Sequence, residues 1–254
     1  CNEMIFTEAE QEVVLVLADG RIADPSSQHT CRIDLDESRT VSQLLTTAPI
    51  AGGNGRAKSV RHDSEKWLKY FLTPREISFM RRLRADGIAE PLGSLAEVDV
   101  GVVTGKNSFF GLSPSQADMY AVRANTIPLL GRSSQMRGAV IDSDELSSLE
   151  KADDRVLLFY VPEGSNGNLS AAAKAYIALG EKEGVDKGYK CRIRKKWYSV
   201  PSVWEPDCFV FRQIYDFPRV VVNKAHATST DTIHRMRCRT DVDLLTRNLY
   251  THLT

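Results

Sequence analysis

Three of the four residues from position 52 to position 55 are glycines, in the run Ala51-Gly52-Gly53-Asn54-Gly55-Arg56. Glycine loses more backbone freedom on folding than any other residue, so a run of this kind does not hold a helix or a strand cheaply. We therefore predict a flexible joint at this point, with parts of the chain folding separately on either side of it.

The residues before this joint contain two predicted strands. Val13 to Leu17 form an unbroken apolar run, which predicts a buried strand, and residues 31–36 alternate between apolar and polar, which predicts a half-exposed one. The chain also begins with Cys1 rather than with methionine. We therefore expect it to be the interior of a longer polypeptide.

Helix and strand signals are mixed beyond the joint. Two helix starts share a hydroxyl N-cap, a proline directly after it and a Glu or Gln three residues after the cap, at Thr73-Pro74-Arg75-Glu76 and at Ser113-Pro114-Ser115-Gln116. We also predict helices over residues 143–151 and 169–179, and strands over residues 156–161, 209–215 and 220–222. This mixture predicts an α+β domain.

The charge of the chain is distributed unevenly along its length. Lys and Arg number 33, as do Asp and Glu, so the formal net charge is zero. Residues 1–50 hold nine acids and three bases, whereas residues 187–240 hold twelve bases and four acids. A basic stretch on a neutral chain suits a local contact with a polyanion, because each phosphate contact releases condensed counterions.

No motif for catalysis or metal binding stands out. The five cysteines have no Cys-x-x-Cys spacing, and the five histidines form no His-Glu-x-x-His pattern. The run from Gly101 to Lys106 is one residue short of a nucleotide-binding Walker loop, and Asn107 replaces its magnesium-binding hydroxyl. No apolar run approaches the roughly 18 to 20 residues of a membrane span. We predict no catalytic residue, no metal and no membrane contact, in a cytoplasmic protein with reduced thiols.

The first of three informative segments covers residues 100–110. Its apolar start ends in a glycine turn, and the chain then returns to the core through Phe109 and Phe110. The turn is therefore expected to present Lys106 and Asn107 at a loop tip, where they either contact a ligand or are simply solvated, since loop tips are polar by default.

The second segment covers residues 190–201 and has five bases in positions 190 to 196, followed directly by two aromatic residues. We predict a strand in which Arg192 and Arg194 share one face, where guanidinium groups reach phosphates. Trp197 and Tyr198 either stack on a base or anchor the loop. A charge run is commonly a solvated face, but the adjacent aromatic pair favours nucleic acid. The candidate backbone contacts are Arg192, Arg194, Lys195 and Lys196.

The third segment covers residues 218–235, where an apolar strand leads into a long polar loop. Amide, hydroxyl, lysine and histidine side chains hydrogen-bond to phosphate oxygens or base edges, and they supply too little carboxylate for hydrolysis. The candidate residues of this segment are Asn223, Lys224, His226, Thr228, Ser229 and Thr230.

Together these segments resemble the target-recognition region of the gamma-class, TaqI-type adenine-N6 DNA methyltransferases of restriction-modification systems. The resemblance is carried by the helix from Leu72-Thr73-Pro74-Arg75-Glu76 to Leu83, by Val100 to Gly105 with Asn107 and Phe109-Phe110, by Cys191 to Tyr198 with Val200-Pro201, and by Asn223 with Thr228-Ser229-Thr230 and Thr232-Ile233-His234. These positions span residues 72–235.

The resemblance implies a fold, a function and a division of labour. It implies an α/β chain, with terminal strands of a doubly wound, Rossmann-like methyltransferase sheet in residues 1–50, a linker with helices in residues 51–92, and a mixed α+β target-recognition domain in residues 93–254. We expect this last domain to be incomplete at its C-terminal end, because the family's recognition region usually runs further. The partners implied are double-stranded DNA and an N-terminal catalytic domain of the same polypeptide. That domain would bind S-adenosylmethionine and hold the flipped adenine with an Asn-Pro-Pro-aromatic motif, which this sequence lacks because it contains no Pro-Pro dipeptide. We therefore expect no cofactor in this chain and no activity from it alone.

In that interpretation the basic residues of the second segment and Lys224 position the DNA backbone. The residues expected to read bases or support the flipped adenine are Lys106, Asn107, Trp197, Tyr198, Asn223, His226 and Thr228. The alternative is a protein-interaction module that docks onto a partner subunit, with its basic run against an acidic protein face and no direct DNA contact.

Overall fold

A computed structural model describes residues 29–31, 42, 58–61, 65–164, 169–213 and 218–251. The chain divides into two compact units, Cys1–Ala89 and Glu90–Thr254. The predicted strand at residues 13–17 and the glycine joint lie outside the described residues, so the Rossmann-like sheet and the division into three parts stay predictions. The mixed α and β content that the sequence predicts is confirmed.

The first unit combines a short strand pair with helices. Strands β1 (His29–Cys31) and β2 (Lys58–Val60) pair in an antiparallel fashion, and a 3-10 helix (Trp67–Phe71) precedes helix α1 (Pro74–Ala85). The predicted capping box at α1 is confirmed: the Glu76 carboxylate accepts from the Thr73 backbone N–H at 2.8 Å, and Thr73 Oγ1 accepts from the Glu76 N–H at 3.3 Å. These bonds satisfy N–H groups that the first helical turn leaves without partners.

The second unit interleaves short strands and helices. Its described strands are β3 (Ala96–Asp99), β4 (Gly111–Leu112), β5 (Thr126–Leu130), β6 (Val140–Ile141), β7 (Leu157–Phe159), β8 (Cys208–Phe211), β9 (Val220–Asn223), β10 (Thr228–Ser229) and β11 (Ile233–Cys238). Its described helices are α2 (Leu92–Leu95), α3 (Asn107–Phe110), α4 (Pro114–Met119), α5 (Ser143–Lys151), α6 (Ala171–Lys182), α7 (Tyr189–Arg192) and α8 (Val242–Thr251), with 3-10 turns at Arg123–Asn125, Ser133–Gln135 and Val185–Lys187.

These strands form two mixed sheets. One has the order β10-β5-β7-β4, with β10 parallel to β5, and the other has the order β3-β11-β8-β9-β6, with β6 parallel to β9. The remaining neighbours are antiparallel. Strands β10 and β11 follow each other in the chain yet belong to different sheets, so the polar loop before them lies where the two sheets meet.

Apolar side chains cover both faces of the five-stranded sheet. Phe209, Val221 and Ile233 pack into a cluster with α5, while Cys208, Val222 and their neighbours pack into another cluster with α8. Successive residues of a strand point to opposite faces, which explains why the run 220–222 is apolar at every position. A third cluster joins α3, α4 and α6 to the four-stranded sheet.

Most of the helices and strands predicted after the joint are confirmed, and their ends agree to within a few residues. The helix over residues 143–151 matches α5, that over 169–179 matches α6, and the strand over 156–161 matches the shorter β7. Of the helices within the described ranges, none combines the length and the apolarity that crossing a membrane requires.

Candidate nucleic-acid interface

The glycine-rich part of the first segment lies against the third segment. Val102 forms a parallel bridge with Thr230, its N–H donates to the Ser229 carbonyl at 2.7 Å, and its own carbonyl accepts from the Asp231 N–H at 3.2 Å. A Cβ atom at Gly101 would lie 1.9 Å from the Thr230 carbonyl oxygen. Only glycine therefore permits this close approach.

The second segment contacts the other end of the same loop. Gly105 has a φ of +85°, and a Cβ atom there would lie 3.0 Å from the Lys190 Cβ and 3.1 Å from the Cys191 Sγ. Arg194 Nη2 donates to the carbonyl oxygens of Val103 at 2.7 Å and Thr104 at 2.9 Å. Residues 101–107, which we call the tip loop, are thus held by two segments that are distant in sequence.

Four exposed cations lie in the tip loop or in the second segment, which contacts it. Lys106 belongs to the loop itself, Lys190 touches Gly105, and Arg192 and Lys195 lie within five residues of Lys190. None of the four forms an ion pair with a described residue. We call Lys106, Lys190, Arg192 and Lys195 the basic rim.

The predicted strand through Arg192 and Arg194 is wrong. Residues 189–192 form the short helix α7, because the backbone N–H groups of Cys191 and Arg192 donate back to the Gly188 carbonyl. Arg192 is exposed, whereas Arg194 is half-buried and spends its Nη1 and Nη2 donors on carbonyl oxygens of Val103, Thr104 and Trp197. Arg194 therefore braces the tip loop, and we leave it out of the basic rim. Lys196 is half-buried.

The aromatic pair of the second segment anchors its loop to the core. The Trp197 indole lies 5.6 Å from the Phe109 ring and 6.3 Å from the Phe110 ring, and its Nε1 donates to Glu181 Oε1 at 3.2 Å. Tyr198 is half-buried beside Trp197, with ring centroids 5.9 Å apart. The anchoring role that the sequence left open for this pair is the one that these contacts favour.

Most candidates of the third segment are buried and bonded internally. The Asn223 amide donates to the carbonyls of Pro206 and Ala227 at 2.8 and 2.9 Å, and Thr228 Oγ1 donates to the Trp204 carbonyl at 3.0 Å. Ser229 and Thr230, which are 0% and 4% exposed, donate to the carbonyls of Ile233 and Gly131. These four side chains shape the loop rather than extend from it.

Lys224 and His226 are the exposed members of the third segment. His226 has a left-handed backbone with a φ of +53°, and its Nδ1 lies 2.6 Å from the Glu205 carboxylate. Within the described residues, no hydrogen bond, ion pair or ring contact joins either side chain to the basic rim. The structure therefore brings the first and second segments together at exposed positions, and the third segment mainly through buried ones.

Two residues that the sequence did not single out organise this region. Arg235 is 1% exposed and its guanidinium lies over the Trp204 ring, 4.3 Å from the ring centroid; Arg237 lies 4.6 Å from the same centroid. Alternation along β11 places both guanidinium groups on one face of the strand. The sequence could not have identified them, because nothing in the neighbouring residues distinguishes a buried arginine from a solvated one in a basic stretch.

Burial is the main cause of the pKa shifts of the ionisable groups around the tip loop. Desolvation lowers the pKa of the Arg194 and Arg235 guanidinium groups and raises the pKa of the Cys191 thiol. Cys191 is therefore a neutral thiol and not an activated nucleophile. Among the described residues, no group of three or more His, Cys, Asp or Glu side chains is placed to hold a metal ion.

Comparison with known proteins assigns the chain to a family. The family model of the C-terminal domain of the type II methyltransferase M.Eco57I matches residues 64–254. The chain belongs to the M.Eco57I C-terminal domain family. The resemblance to the carboxy-terminal region of a methyltransferase is thereby confirmed, and the family match covers all three segments.

One relative of this chain is the type II methyltransferase M.AccI of Acinetobacter calcoaceticus. The two sequences are 23% identical over 193 residues, which is 73% of this chain and 34% of M.AccI. The chain thus spans about a third of the length of the curated relative that it matches.

Proposed function

We propose that this domain binds duplex DNA and recognises the target site of a type II methyltransferase. The observation that carries the proposal is the tip loop, which two distant segments hold and which exposes Lys106 and Asn107, with Lys190 of the basic rim against Gly105. Unpaired exposed cations gain affinity for phosphates through counterion release, and a rigid loop presents side chains at little entropic cost.

The chemistry of the proposal goes further than the family match. The proposed reaction is transfer of a methyl group from S-adenosylmethionine to N6 of an adenine, in a cytoplasmic restriction-modification system. The domain described above would position the duplex so that a catalytic part of the same polypeptide can flip and methylate the base. Methyl transfer is supported by the names of the matched family and of M.AccI, and its direction to adenine N6 by the sequence resemblance alone.

S-adenosylmethionine does not fit the glycine-rich tip loop. A cofactor cradle needs glycine positions that leave room for a ligand, but Thr230 fills the space at Gly101 and Lys190 with Cys191 fills the space at Gly105. We therefore assign no cofactor contact to the tip loop and no step of the methyl transfer to this domain.

The experiment that tests the proposal compares rim variants in fluorescence anisotropy titrations with a 30-base-pair duplex at fixed salt. We expect each single replacement of a rim cation to weaken binding by about 3- to 8-fold, because each phosphate contact contributes roughly 0.9 to the slope of log affinity against log salt. The four replacements are Lys106→Ala, Lys190→Ala, Arg192→Ala and Lys195→Ala. Lys151→Ala, at the exposed end of α5, is the matched control and should bind as the wild type does.

Two outcomes would contradict the proposal. The first is a variant lacking all four rim cations that binds DNA as tightly as the Lys151→Ala control does. The second is a wild-type chain with no measurable affinity for DNA that co-purifies with a partner subunit, which would favour the protein-interaction alternative.

A further inference from the structure

Thr104 and Asn107 form a hydrogen bond at the tip loop that restricts what Asn107 can offer a ligand. Thr104 is 1% exposed, and its Oγ1 donates to the Asn107 Oδ1 while accepting from the Lys106 N–H at 3.2 Å. Asn107 is exposed, and no described residue accepts a hydrogen bond from its Nδ2. The buried threonine therefore holds one end of the carboxamide and leaves the other end toward solvent.

The direction of this bond follows from the donors and acceptors present. A backbone N–H can only donate, so Lys106 takes one lone pair of the Thr104 hydroxyl. If the Asn107 amide were flipped, its NH₂ would take the other lone pair, and the hydroxyl hydrogen of Thr104 would be buried without an acceptor. A buried donor left without a partner costs more free energy than a normal hydrogen bond returns. The orientation with Oδ1 toward Thr104 is thus the favoured one.

The backbone around Thr104 is held firmly enough to keep this orientation. Groups from other segments donate hydrogen bonds to the backbone carbonyl oxygens around the glycine turn. Arg235 donates to the Val100 carbonyl, and the Asp231 N–H donates to the Val102 carbonyl. Arg194 donates to the carbonyls of Val103 and Thr104. Asn107 then begins α3, whose Phe109 and Phe110 are buried in the aromatic cluster. A side chain on such a scaffold keeps its direction because the supporting bonds are already made.

We infer that Thr104 is a positioning residue that turns Asn107 into a hydrogen-bond donor toward duplex DNA. The exposed end of Asn107 carries two N–H donors, and the neighbouring Lys106 ammonium carries only donors. The pair suits an acceptor: a phosphate oxygen, or an acceptor on a base edge such as guanine O6 and N7 or thymine O4. A bidentate contact to adenine, in which the amide must both donate and accept, would have to use the one lone pair of Oδ1 that Thr104 leaves.

This inference rests on the proposed function, and its test uses the full chain with the same 30-base-pair duplex. Asn107→Asp keeps the shape but replaces the two donors by a negatively charged acceptor, and we expect at least about 10-fold weaker binding. Thr104→Val removes the hydroxyl at nearly constant volume and should weaken binding by about 3- to 10-fold, whereas Thr104→Ser keeps the hydroxyl and should stay within about 2-fold of the wild type.

A double-mutant cycle separates positioning from a general structural role. If Thr104 acts through Asn107, Thr104→Val weakens binding in the wild-type background and has no further effect in the Asn107→Ala background. Thermal unfolding of each variant shows whether the fold is kept, and the exposed Asn107→Ala and Asn107→Asp variants test the donor role even if Thr104→Val fails to fold.

Two results would overturn the inference while leaving the proposed function intact. One is salt-dependent binding of the wild type together with unchanged binding of Asn107→Asp. The other is an equal loss on Thr104→Val with and without Asn107. Failure of the proposed function would be distinguishable, because the wild type itself would then show no salt-dependent binding.

Selection from a random duplex library identifies the source of the acceptor. If Asn107 donates to a base, Asn107→Ala loses the preference for one position of the selected sequence. If it donates to a phosphate, Asn107→Ala keeps the selected sequence and lowers affinity for every duplex alike. Both results support a donor role, and a selected sequence and affinity that are both unchanged would contradict it.

Discussion

Arg235 fixes the start of the tip loop by donating to the Val100 carbonyl oxygen, from Nε at 3.2 Å and from Nη2 at 2.9 Å. Its Nη1 donates to the Ser202 carbonyl at 2.8 Å, so one buried guanidinium ties the loop to the connection that follows the second segment. Arg194 does the same at the other end of the loop through Val103 and Thr104. Hydrogen bonds from two arginines that are not exposed therefore hold the tip loop in place.

Replacing Arg235 by Ala is expected to destabilise the second unit by about 3 kcal/mol, because it removes the hydrogen bonds to the Val100 and Ser202 carbonyls and opens a cavity beside Trp204. Urea unfolding measures the loss. Arg237→Ala is the matched control, since Arg237 stacks on the same ring but is exposed, and it should cost under about 1 kcal/mol. Equal losses for the two variants would contradict the clamp role of Arg235.

Gly101→Ala is expected to lower the free energy of unfolding by about 3 kcal/mol, because the new methyl group would collide with the Thr230 backbone. The loss should appear in chemical unfolding and be accompanied by weaker DNA binding, since the contact between the first and third segments supports the tip loop. Gly93→Ala in α2 is the control, because a Cβ atom there meets nothing within 4 Å. If Gly101→Ala were as stable as Gly93→Ala, the close packing of Gly101 against the Thr230 backbone would be contradicted.

Asn223→Ala is expected to lower stability by about 2 kcal/mol, because it removes two hydrogen bonds to buried carbonyls and one from the Ala227 N–H. His226→Ala, at an exposed neighbouring position, should leave the unfolding midpoint nearly unchanged. If Asn223→Ala instead kept the stability of the wild type but lost affinity for DNA, the predicted contact of Asn223 with a DNA base would be supported.

The stability of the first unit is expected to depend on pH through Glu65. Hydrogen bonds from Arg81, Lys69 and Tyr70 hold the pKa of Glu65 well below its ordinary value of 4.5. A lowered pKa in the folded state contributes stability that is present above about pH 4.5 and is lost as the pH falls toward the folded-state pKa.

Glu65→Gln should therefore destabilise the chain by about 2 kcal/mol at pH 7, with the difference from the wild type shrinking as the pH falls below 4.5. Urea unfolding at a series of pH values measures this difference. Asp86→Asn, an exposed change at the end of α1 in the same unit, controls for the loss of one negative charge. A difference that is constant from pH 7 to pH 3 would contradict the assignment.

Local signals of the sequence could be predicted reliably because the interactions that they describe are local. The capping boxes at Thr73 and Ser113 join atoms only three residues apart, and both are present. The strand predicted through Arg192 and Arg194 failed for a related reason: alternation of polar and apolar residues also fits a short helical turn, and the carbonyl of Gly188 closes that turn.

The roles of individual site residues depend on contacts that the sequence does not encode locally. Hydroxyl and amide side chains suit DNA and buried backbone equally well, and for Asn223, Ser229 and Thr230 the deciding contacts are to the backbone. The parallel pairing of Val102 with Thr230 joins residues that are far apart in the chain, and no periodicity announces it. The exposed tip residues Lys106 and Asn107 were predictable, because a glycine turn between apolar runs places its polar residues at the surface.

The central claim is that the basic rim meets the phosphates of duplex DNA, and the salt dependence of DNA affinity tests it most directly. We would titrate the wild-type chain into a labelled 30-base-pair duplex at salt concentrations from about 50 to 200 mM and plot log Kd against log salt. Four rim contacts predict a straight line and a loss of roughly 100-fold in affinity across this range. An affinity that does not change with salt, or no binding at the lowest salt, would contradict the account.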